Sequence, residues 1–449
     1  MQTPSQQAAQ TCHQGFRGFR WTVCALLFVA TTINYMDRQV LGILAPTLEK
    51  ALGWNEIDYS HIVMAFQAAY ALGLLFFGRL VDAIGTRHGY AISIFFWSLA
   101  AMAHALACGV FGFGAARFAL GLGEAGNFPA AVKTVAEWFP RRERALAIGL
   151  FNSGCNVGAV FAPVVVPWIT LHYGWQMAFL VLGATGLVWL IFWYWLYTAP
   201  ALSKRVSPAE LAFITSDPPE PAAVKLSWHH LLCYRQTWAI VVGVAFTVPI
   251  WWFFLYWLPK FMHQQYGLDL ASLGPPLVVI YIVASVGSIG SGWLSGFLLR
   301  RGWSVNASRK SVLLVCALSV VPVFVATQTS NIWVATILIS FAAAAHMGWA
   351  ANLFAMVADM FPKQVVASVV GLGVMFGAVS ALLFAQLTGF ILQTTGRYWP
   401  LFAIASIAYL LALAVIHALI PRLTPAELKA PETILNKTKN NTATKNIIQ

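Results

Sequence analysis

Residues 78–87 read GRLVDAIGTR, a glycine-bracketed, charged turn that leads from one apolar run, 59–81, to the next, 89–109. Gly78 and Gly85 allow two helix ends to approach and turn tightly, because a residue without a Cβ tolerates close backbone contact. Asp82 is placed to accept hydrogen bonds from a helix N-terminus or a basic side chain, and Arg87 closes the segment with a positive charge. Read alone, this is an ordinary charged loop. Its meaning comes from its flanks, each of about 20 residues, enough to cross ~30 Å of hydrocarbon as one helix at ~1.5 Å per residue.

Working outward, ten more runs of this kind appear: 20–46 before the turn, and 112–136, 145–170, 176–198, 238–262, 275–299, 311–328, 332–358, 366–392 and 398–420 after it. Backbone groups find no water in lipid, so apolar runs of this length must be helices. The weaker alternating pattern of an outer-membrane barrel is absent. Composition agrees: 59% of the 449 residues are hydrophobic and 9% charged, with mean hydropathy +0.72, whereas soluble domains carry about 25% charged residues. The sequence predicts an all-α membrane protein of about twelve transmembrane helices.

The net charge of +12 does not point to nucleic acid. The cations sit in short loops, and no basic face with interleaved aromatics exists for a phosphate backbone. Cys12, Cys24, Cys108, Cys155, Cys233 and Cys316 are scattered without CxxC spacing and read as small apolar fillers. No nucleophile, metal or nucleotide motif appears, so neither an enzyme nor a cofactor is expected, and no soluble signalling domain supports a sensor. The first apolar run is too long for a signal peptide and carries Asp37 and Arg38, so it is read as a retained helix.

The longest hydrophilic stretch, 199–237, is proline-rich and holds SKR (203–205), DPPEP (217–221) and Lys225. It reads as a linker between six-helix bundles at 1–198 and 238–420, followed by a Lys/Asn/Thr-rich tail, 421–449, expected to be disordered. AEWFPRRERALAIGL (136–150) matches VADMFPKQVVASVVGL (357–372) in its Phe-Pro turn, the basic residue that follows, Ala145/Ala367 and Gly149/Gly371, all at one offset of 222 residues. Parallel repeats of this kind place a substrate near the midplane, between the halves. Lys and Arg crowd the loops of one side (Arg17, Arg20, Arg79, Arg87, Arg141, Arg142, Arg144, Lys204, Arg205, Arg300, Arg301 and Arg309 among them), against Lys50, Lys260 and Arg397 on the other. That asymmetry predicts both termini in the cytoplasm. Lys133 and RRER (141–144) read as orientation and lipid-headgroup residues, and Lys260 as a snorkelling or loop charge.

Ionisable residues inside a span cost ~2.5–3.5 kcal/mol or more each, so they require a partner or a purpose. Four stand out, all in the first half: Asp37 and Arg38 in INYMDRQ (33–39), and Arg117 and Glu124 in RFALGLGEAGNFPA (117–130). Seven residues apart, Arg117 and Glu124 share one helix face two turns from each other, and Gly121, Gly123 and Gly126 thin that helix for a close neighbour. The signs balance, so structural salt bridges are one reading, and Arg38 serves either as the neutraliser of Glu124 or in a functional role. Arg117 asks for more, since a guanidinium facing a cavity is a bidentate partner for a carboxylate. Carboxylates in a low-dielectric setting exchange protons as their surroundings change, which is what proton coupling requires.

Tyr35 and Tyr70 flank this group. In the second half Trp251, Trp252, Tyr256 and Trp257 crowd the seventh span, and His346, Trp349 and Asn352 the tenth. Rings beside hydrogen-bonding groups suit the apolar face and hydroxyl rim of a sugar; taken singly, each is more often a packing or interfacial residue, and His346 reads first as a packed neutral histidine. The substrate-binding candidates are Arg117, Tyr35, Tyr70, Asn156, Trp257, His346 and Asn352.

In this context the 78–87 turn resembles the loop signature of the major facilitator superfamily, G-x-L-x-D-x-x-G-x-[RK], which implies gating roles for Gly78, Asp82, Gly85 and Arg87. The corresponding loop of the second half, Gly296 to Arg301, is degenerate. Within that superfamily the chain resembles the anion:cation symporter family, and its bacterial hexuronate transporters, from about Tyr35 to Leu419. The resemblance lies in NYMDRQVLGILAPTL (34–48), GRLVDAIGTRHGY (78–90), ARFALGLGEAGNFPA (116–130), EWFPRRERALAIGLFNSG (137–154), GAVFAPVVVPW (158–168) and GWQMAF (174–179). It implies import of a sugar acid with protons through the bacterial inner membrane, driven by the proton gradient. It further implies that Asp37 and Glu124 carry protons, Arg117 holds the substrate carboxylate, Arg38 couples to Glu124, and Tyr35 and Tyr70 hydrogen-bond the sugar. Where aldonate-transporting relatives place a Gln on the fifth helix this chain has Cys155 and Asn156, which leans toward galacturonate or glucuronate and keeps an aldonate or aromatic acid as the alternative. The partners expected are that anion, protons and membrane lipid, around a monomer.

Overall fold

A computed structural model of the chain describes residues 18–216, 228–361 and 363–426. Part of the predicted linker (217–227) and most of the predicted disordered tail (427–449) lie outside the described residues. The described chain is helical and contains no strand. In order, the helices are α1 Phe19–Leu52, α2 Glu56–Ile84, α3 Thr86–Ala103, α4 Val110–Glu124, α5 Asn127–Trp138, α6 Arg141–Asn152, α7 Gly154–Tyr173, α8 Trp175–Leu196, α9 Pro208–Ile214, α10 Trp228–Leu232, α11 Arg235–Tyr266, α12 Gly274–Arg300, α13 Val305–Val320, α14 Ile332–Met360, α15 Lys363–Thr395 and α16 Trp399–Leu419.

Ten helical segments among the described residues are long and apolar enough to cross a membrane. Two more complete twelve spans: the 29-residue α2, which carries charged residues at both ends, and the α4–α5 pair. The sequence predicted that pair as one span, 112–136. The structure breaks it at Ala125 and Gly126, whose N–H groups bond Gly121 and Gly123 carbonyls, because three glycines in six residues leave the helix locally pliant.

The two halves repeat one packing scheme. In the first, α2 lies on α4 and α1 on α7; in the second, α12 lies on α14 and α11 on α15. The sequence repeat marks the same joint in each half. Phe139 ends α5 at φ −125°, ψ 133°, and Phe361 ends α14 at φ −118°, ψ 143°, since a residue before proline is pushed out of the helical region. The acid two residues earlier ties that joint to the third span of its own half. Glu137 accepts from Thr86 Oγ1 and Tyr197 Oη, both at 2.6 Å, and Asp359 accepts from Arg309 Nε at 2.9 Å.

The 78–87 turn is built as its glycines suggest. Gly85 separates α2 from α3 at φ 83°, ψ 160°, a conformation that side chains disfavour. Arg87 Nη2 donates to the Tyr194 carbonyl at 3.0 Å and the guanidinium lies 5.5 Å from the Tyr194 ring, so its described contacts tie α3 to α8 inside the first half. The gating expectation for Gly78 and Asp82 concerns side-chain surroundings that lie outside the described residues. The start of α1 has no local cap; Glu210 of α9 accepts from the Phe19 and Arg20 N–H groups at 3.1 Å and satisfies orphan donors of that helix end.

Between the halves, α2 meets α15, α7 meets α12 and α1 meets α11. The hydrogen bonds and ion pairs described across this interface lie at the end away from the start of α1 and the end of α16. Tyr59 Oη donates to the Tyr256 carbonyl at 2.6 Å, the Glu56 N–H to Gln393 Oε1 at 3.2 Å, and Gln264 Nε2 to Glu56 Oε1 at 3.3 Å. Ring contacts extend the closure toward mid-depth, where Phe66 and Tyr70 stand about 6 Å from Trp252. The halves are thus shut at this far end.

The α2–α4 contact sets the depth of the charged residues, and Gly121 permits it: a Cβ there would collide with the Phe66 carbonyl. Gly121→Leu should therefore strain the contact by about 1–3 kcal/mol and lower the melting temperature of purified protein in detergent. Gly149→Ala, where an added Cβ would meet nothing beyond its own helix within 4 Å, should not lower it, since alanine favours a helix over glycine; equal melting of the two variants would rule out the close contact.

Candidate functional site

Four charged side chains meet in the first half. Asp37 and Arg38 come from the middle of α1, Arg117 and Glu124 from one face of α4, and all four are buried, Arg117 and Glu124 completely. A lone charge at this depth would be prohibitively costly, so two acids and two arginines hold one another.

Arg38 and Glu124 are joined directly, Nε to Oε2 at 2.5 Å. The Arg38 guanidinium is also enclosed by rings: Tyr70 at 4.5 Å, Tyr35 at 4.9 Å, Phe66 at 5.5 Å and Trp252 at 5.9 Å from its centre. Each such face attracts the cation by about 0.5–2 kcal/mol. Of the two readings open for Arg38, the geometry makes it the partner of Glu124, held inside an aromatic cage.

The second pair is not closed. Arg117 spends one donor, Nη2, on the Arg38 carbonyl at 3.3 Å, while its Nε and Nη1 have no hydrogen-bond partner in the protein. Both Asp37 carboxylate oxygens and Glu124 Oε1 are likewise unpartnered. Asp37 stands within electrostatic reach of Arg117 and Glu124. Buried polar groups are almost always paired, so this concentration of open donors and acceptors distinguishes the site from an ordinary structural salt-bridge network.

The remaining candidates divide. Tyr35 and Tyr70 line the Arg38 cage. On α7 it is Cys155, not Asn156, that interacts with Tyr35, while the described hydrogen bond of Asn156 is its backbone one to Ser153. Trp257 faces Tyr59, ring centres 5.3 Å apart, and Phe253; the α11 residues turned toward the charges are Trp252 and Tyr256. Tyr256 Oη is buried and unpartnered and lies within electrostatic reach of Arg117 and Arg38. His346 stacks on Trp251 at 5.2 Å and places Nδ1 2.7 Å from Tyr409 Oη. Asn352 donates to the Gly348 carbonyl at 2.9 Å and keeps Oδ1 unpartnered. These two belong to a separate polar group within the second half, and no described contact joins them to the arginines.

Phe66 was not singled out from the sequence, and Tyr256 was named among the rings of the seventh span but not among the substrate-binding candidates. A signal existed: Phe66 and Tyr70 are four residues apart, as are Trp252 and Tyr256, which is one helix face in each case. Lys260 extends the second series by another turn. Read as a snorkelling or loop charge, it is instead 1% exposed, inside α11, and ion-paired to Glu49 and to Glu56 Oε2, the latter at 2.6 Å. The correction follows from α11 running six residues past it to Tyr266, which keeps Lys260 among its neighbours instead of at a free end. Two clefts of about 430 and 610 Å³ open at the far end, beside Gln264 and Arg397 and beside Lys50 and Asp269. Neither contains any of the four charges, so charge and not cleft size marks the site.

Residues 27–385 match the family profile of the Major Facilitator Superfamily. The chain belongs to this superfamily. It is a multi-pass membrane transporter and not an enzyme. It is 33% identical to the "Hexuronate transporter" of Escherichia coli (strain K12), over 93% of this chain and 97% of that one, and 34% identical to the "Galacturonate transporter" of Dickeya chrysanthemi, over 67% of this chain and 89% of that one. Among solved structures it superposes on a D-xylose-proton symporter with a TM-score of 0.70 at 15% identity, covering 92% of this chain and 99% of the other, a likeness of fold.

Proposed function

We propose that this transporter imports a sugar acid, most specifically a hexuronate such as galacturonate or glucuronate, together with protons, through the bacterial inner membrane with both termini in the cytoplasm. The observation that carries the reading is Arg117: fully buried, with Nε and Nη1 unpartnered, beside an Arg38 already committed to Glu124. A buried guanidinium with an open Nε–H and an open Nη1 has donors to spare for an anionic group such as a carboxylate. A neutral sugar would not repay the burial of that charge. The names of relatives one third identical across most of the chain support the same class of cargo.

In this reading Tyr35 and Tyr70 hydrogen-bond the hydroxyls of the sugar, with Asn156, His346, Asn352 and Trp257 as later contacts as the halves move. Asp37 and Glu124 take up protons. Protonated Glu124 would release Arg38, and bound carboxylate would compensate Arg117, so substrate and proton each relieve a charge imbalance that the other creates. The units 1–198 and 238–420, joined by 199–237, alternate access to this site, and the far end described above is the outer one.

Three outcomes test the reading. Arg117→Ala should abolish binding of galacturonate measured by calorimetry on purified protein; unimpaired binding would make Arg117 a scaffold residue. In proteoliposomes Glu124→Gln should retain exchange of labelled against unlabelled substrate and lose accumulation driven by a pH gradient, whereas normal uphill uptake would place the proton site elsewhere.

The third outcome concerns selectivity. An analogue that leaves buried polar groups unpaired loses about 1–3 kcal/mol for each. Galacturonate or glucuronate should therefore compete well for uptake, while galactose, glucose and short acids without a hydroxylated chain compete poorly. Strong competition by a neutral hexose contradicts the role of Arg117. Competition only by an aromatic acid keeps the arginine and overturns the sugar.

A further inference from the structure

Lys260 is the one charge that the second half sends into the opposite half among the described ion pairs. Its ammonium reaches Glu49, at the last turn of α1, and Glu56, at the first residues of α2, and it lies 5.3 Å from the centre of the Tyr59 ring. Glu56 is in turn a hub: its N–H bonds Gln393 of α15 and its carboxylate accepts from Gln264 of α11. Three helices of one end are thereby drawn onto one buried ammonium.

The energetics of such a cluster suit a reversible closure. Pairing in a low-dielectric interface is strong, but it is offset by the desolvation of the same groups, so the net balance between paired-and-dry and separated-and-wet is small. If one partner is removed, the balance fails, because the remaining charge is buried without compensation and water must enter to solvate it. An apolar contact of the same size would lack this property. The position is also connected to the site. Trp252, Tyr256 and Lys260 follow one another at intervals of four on α11, so one face of one helix covers Arg38 with a ring, places a phenol near Arg117 and inserts the ammonium between Glu49 and Glu56.

We propose that Lys260, with Glu49 and Glu56, is the latch that holds the two halves shut at the end away from the start of α1 and the end of α16. As a residue of the transport cycle it rests on the alternating-access reading above; as a closure it stands on the geometry alone. Breaking it should shift the population toward a state opened at that end.

Ser60 reports this. It is fully buried against Gly389 of α15 at the same closure, and Ser60→Cys changes its size little. In cells expressing the full chain, a membrane-impermeant maleimide should label Ser60→Cys slowly, with the chain retaining Ser60 giving the background from native cysteines. Adding Lys260→Gln should raise the labelling rate about tenfold or more. Lys260→Glu should raise it at least as far, and Lys260→Glu combined with Glu49→Lys, which keeps one ammonium and two carboxylates in the cluster, should restore protection. Unchanged labelling in Lys260→Gln both in cells and in inside-out vesicles, or a charge-exchanged chain as reactive as Lys260→Glu alone, overturns the latch. No substrate is present, so an error in the cargo cannot produce either result. Repeating the labelling in inside-out vesicles tests orientation separately: a rise seen only there supports the latch and reverses the proposed sidedness.

Discussion

The Arg38–Glu124 ion pair is the interaction on which the rest of this architecture depends. Two opposite charges buried in a helix bundle hold each other only when geometry is close and further contacts share the load. Here the pairing distance is 2.5 Å and four aromatic rings surround the cation. The pair fixes α1 against α4, and α4 can come near enough only because Gly121 lets its backbone reach Phe66 of α2. With one arginine and one glutamate so committed, the other arginine and the aspartate are left with open hydrogen-bonding capacity. Pairing thus separates the two couples: Arg38 and Glu124 are joined directly, whereas Arg117 and Asp37 share no described hydrogen bond.

That division has a consequence for how the two halves share their work. All four charges belong to the first half, whereas the second half contributes rings and one lysine. Trp252 is a wall of the Arg38 cage, and the Tyr256 carbonyl receives the Tyr59 hydroxyl at 2.6 Å. A cover that brings aromatic surface to a charged site lowers the local dielectric as it closes, which strengthens every electrostatic term inside. The cover is itself seated by charge, through Lys260.

Much of this was legible in sequence because the bilayer imposes a one-dimensional rule: runs of sufficient length and apolarity become spans. Twelve spans, the repeated Phe-Pro joint and the four intramembrane charges all follow from reading the chain in windows. The break at Ala125–Gly126 did not, since a hydropathy window averages over three glycines that loosen the helix. The choice of Trp257 over Tyr256 shows a second limit. Adjacent residues on a helix differ by about 100° in direction, and in a run as aromatic as 251–257 nothing local tells which face meets the arginines. That information resides in the other half of the molecule. Asn156 and Cys155 pose the same problem, and here too the neighbour, Tyr35, settles which one looks inward.

Lys260 is the sharper case, because the rule that misplaced it is sound for most lysines. A cation near the end of an apolar run is ordinarily read as reaching for water or headgroups. The reading fails where the surface it would reach is another part of the same protein carrying the opposite charge. Glu49 and Glu56 were visible in sequence but lie in a different half, about two hundred residues away, and the sequence pattern of either half alone gives no reason to join them. In a protein built from two units, charges at the ends of spans therefore have two possible solvents, water and the opposite unit. Here Lys260 faces the opposite unit, and its buried ammonium between two carboxylates marks this end as closed.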